Sequence, residues 1–344
     1  MEKDFVMNSR RTFLIAVAFV VVAFLTVPNF SGSSKASSNS RTFEFTYLTK
    51  IPNLPVDAKL SRIWIPLPQS DAYQTIGELK VESPFTYSTH SDSEYGNEYA
   101  YLEIPAAKVS EPAEVRVTFR AKRSEHRVEL GASSTSVNKR PGPDELQRFL
   151  QPDRRVPLQG TIAELSAQET QGITEPLAKA RAIYDYVIAT MRYDKSGTGW
   201  GNGDAIWACT AKRGNCTDFH SLFIGMARAA GIPARFEIGF SLAADQRSAT
   251  IPGYHCWAEF YVQPYGWIPV DASEAWKHPE KKNYFFGAHD DDRVQFSVGR
   301  DIRLSPPQQG EPLNYFIYPY AEVDGKPLAL ESKFSFQDQP SSNN

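Results

Sequence analysis

The sequence predicts an α+β protein in which an antiparallel β-sandwich precedes a core that mixes helices with strands. Three observations predict this order. Apolar and polar residues alternate from Thr42 to about Leu130, and no long helical period intervenes. Residues 176–191 have the spacing of an amphipathic helix, and residues 257–270 contain two strand-like stretches around a turn. A run of strands followed by mixed elements is typical of the α+β class.

The N-terminal segment has the composition of an export signal. Residues 12–27 are sixteen uncharged, largely apolar residues that follow two arginines, and a Ser-rich spacer occupies residues 31–40. Such a stretch is short for a membrane-spanning helix but long enough for the core of a signal peptide. The run from Ser9 to Leu14 also resembles a twin-arginine signal, although two arginines would equally satisfy the positive-inside rule. We expect residues 1–40 to engage the membrane or export machinery, as a cleaved signal or a retained anchor, and to place the rest in the periplasm or outside the cell.

The remaining chain, about 300 residues, is long enough for two domains. We expect a β-sandwich at residues 41–130, a polar connector at 131–173, a helix-and-strand domain at 174–336 and a disordered tail at 337–344. The aromatic-rich segment from Val294 onward is expected to complete the sheet of the second domain. The net charge of −3 and the lack of Lys/Arg clusters argue against nucleic acid as a partner.

The predicted sandwich depends on period-two alternation. Its inward-facing residues are expected to include Phe43, Phe45 and Tyr47, then Ile63, Ile65 and Leu67, then Val115, Val117 and Phe119. Proline and glycine interrupt these runs at short intervals, as turns require. The segment contains no cysteine and no clustered pair of acids, so we expect it to serve packing or substrate presentation.

A glycine-rich stretch, Gly197 to Gly203, follows the helix that Thr174 is expected to cap. It lacks the G-K-[ST] signature and no strand precedes it directly, so a phosphate-binding loop is not favoured. We expect it to form a mobile wall of a cleft. Asp204 is then expected to cap a short helix that carries Trp207.

Cys216 is predicted to be the first residue of a helix. Gly214 suits the position that ends the preceding segment, and Asn215 suits the N-cap of a helix that continues to about Gly231. The positive end of the helix dipole favours a thiolate at this position and lowers the pKa of the thiol. A cysteine in this setting is a candidate nucleophile.

His255 and Asp271 are predicted to lie on the two arms of a hairpin. One strand-like stretch begins at His255 and the next ends at Asp271. A loop centred near Gln263 would place the two residues opposite each other. A loop centred on Tyr265 and Gly266 would separate them by about four residues, roughly 13 Å, and a bulge would then have to restore the contact.

Four sequence blocks stand in this order: G-N-C-T-D-F at 214–219, R-A-A-G-I-P-A-R at 228–235, Y-H-C-W-A-E-F-Y at 254–261 and G-W-I-P-V-D-A-S at 266–273. Together they resemble the core of the transglutaminase-like superfamily, over about residues 175–275. The resemblance implies a papain-like fold with a catalytic triad of Cys216, His255 and Asp271. Cys256 stands where many relatives have a small residue, and we expect it to leave the triad unaffected because neighbouring strand residues point to opposite faces.

Acyl transfer also needs donors for the developing oxyanion. The backbone N–H of Cys216 is one candidate, and the resemblance suggests the hydroxyl of Tyr193 as the second, with Trp200 and Trp207 as alternatives. Aromatic side chains are expected to wall the substrate cleft. The candidates for these walls are Trp200, Trp207, Trp257 and Trp267.

Three cysteines in an exported protein leave at least one unpaired. If Cys216 stays free, Cys209 and Cys256 could form a disulfide, although their spacing does not establish the geometry. No C-x-x-C spacing supports a metal site, and residues 290–292, three consecutive aspartates, are expected to form a solvated turn rather than a calcium loop. We therefore expect neither a metal nor a cofactor.

These observations predict an exported thiol enzyme that acts on an amide of a protein, a peptide or another envelope component. Hydrolysis by a cysteine peptidase or amidase is slightly favoured, because water is abundant and an amine acceptor must first be bound and oriented. The alternatives are a protein-glutamine acyltransferase and a non-catalytic module that binds the envelope.

Overall fold

The computed structural model of the protein describes residues 39–54, 57–105, 112–131 and 141–340. Residues 1–38 of the predicted export segment at 1–40, and the last four residues of the predicted tail, lie outside the described residues. Within the described part of the chain, no helix is both long and apolar enough to cross a membrane.

The first part of the chain is built from strands. In order, these are β1 (Ser40–Ile51), β2 (Leu60–Pro66), β3 (Gln74–Glu82), β4 (Tyr87–Ser91), β5 (Glu98–Pro105), β6 (Ala113–Ser124) and β7 (His126–Arg127). Three helices follow, α1 (Pro143–Arg148), α2 (Thr161–Glu169) and α3 (Pro176–Thr190).

The second part mixes helices with strands. It contains β8 (Arg192–Tyr193), α4 (Ala205–Ala211), β9 (Arg213–Gly214), α5 (Cys216–Ala229), β10 (Ala234–Ser241), β11 (Ser248–Ile251), β12 (His255–Val262), β13 (Gly266–Val270) and α6 (Ala272–Lys277). A short 3-10 turn at Pro279–Lys281 precedes β14 (Ala288–His289), β15 (Arg293–Val298), β16 (Tyr320–Val323), β17 (Lys326–Pro327) and β18 (Glu331–Asp338).

Strands β1 to β6 lie in two five-stranded antiparallel sheets, which strands from the second part of the chain complete. We call these two sheets the N-terminal sheets. One has the strand order β11-β18-β1-β6-β3 and the other the order β17-β16-β2-β5-β4. Strand β1 alternates buried and exposed residues over most of its length, with Phe43, Phe45 and Tyr47 fully buried. The predicted alternation is therefore confirmed, and the α+β class with it.

The core is a four-stranded antiparallel sheet, β13-β12-β10-β15, against which α5 packs. All but the last residue of α5 are buried, since α2, α3, α4 and α6 also contact it. Contacts on all sides therefore fix the position of α5 in the core. Its N-terminus therefore has a defined position relative to strand β12.

The segment predicted as a connector at 131–173 contains α1 and α2, so it is not a plain connector over those residues, while residues 132–140 lie outside the described residues. Helix α2 buries Ile162 and Ser166, and the Ser166 hydroxyl donates to the Met226 carbonyl of α5 at 2.7 Å. Helix α2 is thus part of the core. Its short amphipathic pattern is weak, which explains why the sequence did not reveal it.

The C-terminal segment was expected to complete the core sheet, but only β15 does so. Strands β16 and β17 join the sheet of β2, while β18 lies between β11 and β1 in the other N-terminal sheet. The partner of Phe43 is Asp338, so residues 337 and 338 belong to a strand rather than to a disordered tail. A period-two pattern identifies a strand and its buried face but does not specify the strand's partner, which accounts for the error.

The described residues of the two expected domains fall within one compact unit. The ring of Phe45 on β1 lies 5.4 Å from that of Phe240 on β10 and 5.6 Å from that of Phe296 on β15, measured between centroids. These aromatic contacts join the N-terminal sheet to the core sheet. Strand β11 adds a second link, because it comes from the core and pairs with β18.

Replacing Phe334 with alanine should destabilise the whole unit. Its ring is 4% exposed and its centroid lies 4.5 Å from that of Tyr47 and 4.4 Å from that of Phe240. Removing a buried aromatic ring costs about 3 to 5 kcal/mol, whereas Ser335→Ala on the opposite face should change the free energy of unfolding by less than about 0.5 kcal/mol. Urea unfolding measures both variants. Equal stability of the two would show that β18 does not pack as described.

Candidate active site

Cys216 is the first residue of α5, as predicted, and a capping box fixes this helix end. The Asn215 side chain accepts a hydrogen bond from the Thr217 N–H at 2.9 Å, while Asp218 Oδ2 accepts from the Asn215 N–H at 2.9 Å. Two otherwise free N–H groups are thereby satisfied. Cys216 is only 2% exposed, so its thiol lies in a largely water-free setting at the positive end of the helix.

His255 and Asp271 are brought together by the β12–β13 hairpin, but in neither of the two predicted registers. Ala258 pairs with Val270 and Val262 with Gly266, so the loop centres on Pro264. Continued to Asp271, this register leaves the two residues as diagonal neighbours, two positions apart on one face. The gap closes because Asp271 leaves the strand as the N-cap of α6. His255 Nε2 then lies 2.7 Å from Asp271 Oδ2.

The Asp271 carboxylate is fully buried and has a partner on each oxygen. Oδ1 accepts from the Glu274 N–H at 2.9 Å and from the Ser273 hydroxyl at 3.0 Å, and Oδ2 also accepts from Arg293 Nη1 at 3.3 Å. Buried carboxylates are stable as anions only when they are paired in this way. The carboxylate is consequently held in one orientation, directed at the imidazole.

The charges of the three residues support one another. Burial lowers the pKa of His255, but the charge and hydrogen bond of Asp271, with the Cys216 thiol beside it, raise it to about 10. Burial raises the pKa of Cys216, yet hydrogen bonds with Cys256 and His255 and the charge of His255 bring it well below its ordinary value. Burial likewise raises the pKa of Asp271, and His255 and Arg293 bring it well below. The resting state is thus a thiolate–imidazolium pair beside a carboxylate.

Cys256 does not point away from the triad as expected. Its thiol donates to Thr217 Oγ1 at 3.7 Å, and its sulfur lies 3.8 Å from His220 Nδ1. Burial, together with the neighbouring Cys216, raises the pKa of Cys256 well above its ordinary value, so this thiol keeps its proton beside the Cys216 thiolate. The strand alternation was correct, but the face that Cys256 occupies is the one against α5.

Cys209 and Cys256 are both free thiols, so the suggested disulfide between them is not formed. Cys209 lies on α4 and is partly exposed, whereas Cys256 is buried on β12. Among the described residues, no cluster of His, Cys, Asp and Glu has the arrangement of a metal site.

His220 is a site residue that the sequence analysis missed. It lies one turn after Cys216 on α5 and is fully buried, with Nδ1 2.8 Å from the Cys216 carbonyl oxygen. Its Nε2 accepts from the Ala272 N–H at 3.1 Å. Since that nitrogen accepts, Nδ1 carries the proton and donates to the carbonyl. The ring therefore links the nucleophile's helix to the segment that begins α6, and only its spacing of four residues from Cys216 could have suggested it.

The predicted oxyanion donors lie close together. Tyr193 on β8 pairs with Gly214, two residues before Cys216, and burial, with the charge of Cys216, raises the pKa of its phenol above the ordinary value. The phenol therefore keeps its proton and remains a hydrogen-bond donor. This position is consistent with the predicted role.

The glycine-rich stretch is tethered to α5. Asp218 accepts from the N–H groups of Gly201 at 2.7 Å and Gly203 at 3.0 Å, and Arg300 Nη1 donates to the Gly203 carbonyl at 2.8 Å. The same Asp218 closes the capping box of α5, so one carboxylate aligns the loop with the nucleophile. These bonds argue against the mobile wall that the glycines suggested.

The four tryptophans proposed as cleft walls have different surroundings. Trp200 lies in the glycine-rich stretch, and its Nε1 donates to the Gly197 carbonyl at 3.1 Å. Trp207 packs against the same stretch so closely that a Cβ added at Gly199 would lie 2.5 Å from its Nε1. Trp257 has no exposed surface, because its ring is enclosed by the core, so it does not line a cleft. Trp267 lies on β13 under the guanidinium of Arg235.

The predicted solvated turn at residues 290–292 also has a structural role. Asp290 forms two hydrogen bonds with Arg293, at 3.0 and 3.1 Å, and that arginine in turn donates to Asp271. Arg293 is 1% exposed and its guanidinium lies over the Trp257 ring. The i,i+3 spacing of Asp290 and Arg293 is visible in the sequence, but nothing in it indicates the contact with Asp271.

Comparison with known proteins identifies the family and the fold. The core pattern of the transglutaminase-like superfamily matches residues 163–272. An uncharacterized protein of Haemophilus influenzae is 30% identical over 337 residues, which cover 81% of this chain and 90% of that protein. The crystal structure of a candidate cysteine protease from Cytophaga hutchinsonii has a TM-score of 0.61 at 16% identity and covers 88% of this chain and 99% of its own, which shows that the fold is shared. The chain belongs to the transglutaminase-like superfamily.

Iodoacetamide should alkylate Cys216 faster than Cys209 at about pH 6, by about tenfold or more. The pKa of Cys216 is lowered by its partners, whereas burial raises that of Cys209, so only Cys216 is a thiolate at that pH. Cys209 is the more exposed of the two and serves as an internal control for access. Peptide mass spectrometry of timed samples gives both rates. Faster labelling of Cys209 would contradict the proposed ion pair.

Asp271→Asn should narrow the pH range in which the Cys216 thiolate and the His255 imidazolium coexist, by raising its lower limit and lowering its upper limit. The thiolate forms as pH rises through the lowered pKa of Cys216, and the imidazolium is lost as pH rises through about 10. Without the carboxylate charge, the pKa of His255 falls, and the weaker imidazolium lets the pKa of Cys216 rise. Asparagine can still cap α6.

The rate of Cys216 alkylation as a function of pH measures this change. Asp301→Asn is the control, because Asp301 pairs with Arg154 and makes no contact with the triad. An unchanged profile in Asp271→Asn would rule out the assigned role of the carboxylate.

Proposed function

We propose that this protein is an exported cysteine peptidase or amidase that cleaves an amide bond through Cys216, His255 and Asp271. The observation that supports this most strongly is the convergence of the three side chains from α5, β12 and the start of α6. Asp271 hydrogen-bonds to the imidazole of His255, which lies beside the Cys216 thiol, and the thiol and the carboxylate have lowered pKa values while the imidazole has a raised one. Perturbed groups that complement one another are typical of catalytic sites.

The reaction begins with attack of the Cys216 thiolate on the carbonyl carbon of the amide. The carbonyl π electrons move to the oxygen, and this oxyanion is positioned to accept hydrogen bonds from the Cys216 N–H and the Tyr193 hydroxyl. As the C–N bond breaks, the His255 imidazolium donates its proton to the leaving amine. The product of this step is a thioester on Cys216 and a neutral imidazole.

Release of the acyl group then uses water. Neutral His255 accepts a proton from a water molecule, whose oxygen attacks the thioester carbonyl, and the acid leaves as the Cys216 thiolate re-forms. Asp271 keeps the imidazole oriented during both steps and does not itself need to take the proton. The neighbouring Cys256 thiol stays neutral, because burial raises its pKa well above the ordinary value.

Hydrolysis is proposed over transfer to an amine because water needs no binding site of its own. A transferase would also need a dry channel for the amine, and the buried Trp257 cannot form a wall of such a channel. We propose a protein, peptide or other envelope amide as the substrate. The alternative of a non-catalytic binding module is not favoured, since a scaffold would not need an oriented and buried triad.

The choice between hydrolysis and transfer is tested by incubating the protein with a glutamine-containing peptide library and a labelled primary amine. We expect free acid products, and we expect them to disappear in Cys216→Ala. The matched control is Cys209→Ala, which removes the partly exposed free thiol on α4. Incorporation of the amine as the dominant product would establish a transferase instead, and loss of both reactions in the control would point to an unfolded protein.

Export is proposed on the basis of the apolar segment at residues 12–27 and the preceding Arg10 and Arg11. A reporter fused after Ser40 should be active outside the cytoplasm. Replacing both arginines with lysine distinguishes the routes, because only twin-arginine export should fail. Activity of the reporter confined to the cytoplasm would reject the proposal.

A further inference from the structure

A second cavity lies away from the triad, between the N-terminal sheets and the core sheet. Its volume is about 500 Å³, which is within the range of small-molecule sites. Cys256 faces α5, so Glu237 and Glu259, which line the cavity, project from the opposite face of the same core sheet. The cavity therefore has no direct contact with Cys216.

The floor of this cavity is built from ionisable side chains. Arg123, His126, Glu237 and Glu259 line it, and each is no more than 3% exposed. Tyr73 and Trp267 add aromatic rings to the lining. Ionisable groups are seldom buried unless they are paired, so the partners of each one decide what the cavity can bind.

The two glutamates of the floor already have partners. Arg235 Nη2 lies 2.6 Å from Glu259 Oε2 and 3.0 Å from Glu237 Oε1. His126 Nδ1 lies 3.1 Å from Glu259 Oε1, and the Trp257 indole N–H donates to Glu237 at 2.7 Å. Both glutamates are thus paired with protein groups, so they do not require an added cation.

Arg123 differs from its neighbours because its charge has no close partner. It is 2% exposed, and its Nε and Nη1 atoms form no hydrogen bond. The nearest carboxylate oxygen, on Asp71, is 3.8 Å from Nη1 and belongs to a side chain that is 38% exposed. A buried guanidinium with unused donors is costly unless an anion accepts from it.

We propose that this cavity binds a small monocarboxylate that carries an apolar or aromatic group, with its carboxylate on Arg123. A guanidinium matches the two oxygens of a carboxylate with parallel N–H donors. The carboxylates of Asp71, Glu237 and Glu259 lie around Arg123, so a doubly charged phosphate would be repelled more than a monoanion. Tyr73, whose ring stacks on His126, and Trp267, whose ring lies under Arg235, add the aromatic surface that an attached ring or aliphatic chain would contact. The site is independent of the proposed function.

Calorimetric titration of the full chain carrying Cys216→Ala tests the proposal without turnover. The probes are N-acetylphenylalanine, its primary amide, inorganic phosphate and the tripeptide Ala-Ala-Phe. We expect N-acetylphenylalanine to bind at least about tenfold more tightly than the amide or phosphate. Comparable binding of the tripeptide would assign the site to peptide C-termini, and binding of the acetylated amino acid alone would assign it to small free acids.

Arg123→Gln should weaken the binding of N-acetylphenylalanine by about tenfold or more. Arg120→Gln is the matched control on the same strand, where the side chain is 38% exposed, and it should change nothing. A second variant covers the case in which Arg123→Gln fails to fold. Asp71→Asn keeps the oxygen that accepts from the Tyr73 and Gln74 N–H groups but removes the negative charge beside Arg123, so binding should tighten about threefold or more.

Several results would overturn the proposal. They are no binding of N-acetylphenylalanine at about 10 mM, equal binding of its amide, tighter binding of phosphate, or unchanged affinity in a folded Arg123→Gln. If circular dichroism shows that Arg123→Gln is unfolded, then unchanged or weaker binding of N-acetylphenylalanine in Asp71→Asn overturns the proposal instead.

Discussion

The buried carboxylate of Asp271 is the group on which the arrangement of the site depends. It ends strand β13, caps helix α6 through the Glu274 N–H and orients His255 through Oδ2. Arg293 and Ser273 add a donor to each of its two oxygens. A carboxylate in this position is costly to bury, and its partners offset that cost only because they satisfy both oxygens. The same bonds that stabilise the anion therefore fix the direction of the imidazole.

The nucleophile is held by an equally dense set of contacts on the other side of His255. Asp218 closes the capping box of α5 and anchors the glycine-rich stretch, while His220 joins the Cys216 carbonyl to the N–H of Ala272. As a result, the first turn of α5 and the start of α6 cannot shift independently. The Cys256 thiol adds a donor that remains protonated, because burial raises its pKa, next to a thiolate whose pKa its partners lower. Two buried cysteines, one with a lowered and one with a raised pKa, thus lie side by side.

The N-terminal sheets do more than precede the core. Phe45 packs against Phe240 and Phe296, and strand β11 of the core pairs with β18 from the end of the chain. The first and last described strands are themselves hydrogen-bonded neighbours. Closing the chain in this way covers an edge of β1 that would otherwise be unpaired. It also creates the boundary between the sheets at which the second cavity, with its unpaired Arg123, is found.

The sequence by itself determined the features that depend on residues a few positions apart. Asn215 and Asp218 identify the start of α5 because capping acts within one turn, and the alternation around Phe43 identifies β1 because side chains of a strand change face at every residue. The order of the four blocks likewise identified Cys216, His255 and Asp271 as the residues to examine. These signals need no knowledge of what lies across the fold.

Only the tertiary structure decided which distant residues meet. Arg293 reaches Asp271 across 22 positions, and Cys256 approaches His220 across 36. The hairpin adopted a register between the two expected ones, and Asp271 reached His255 by leaving its strand. Strand β18 paired with β1 rather than with the core sheet. In each case, local pattern specifies a buried face or a helix end, whereas the partner is selected by packing and charge over the whole chain.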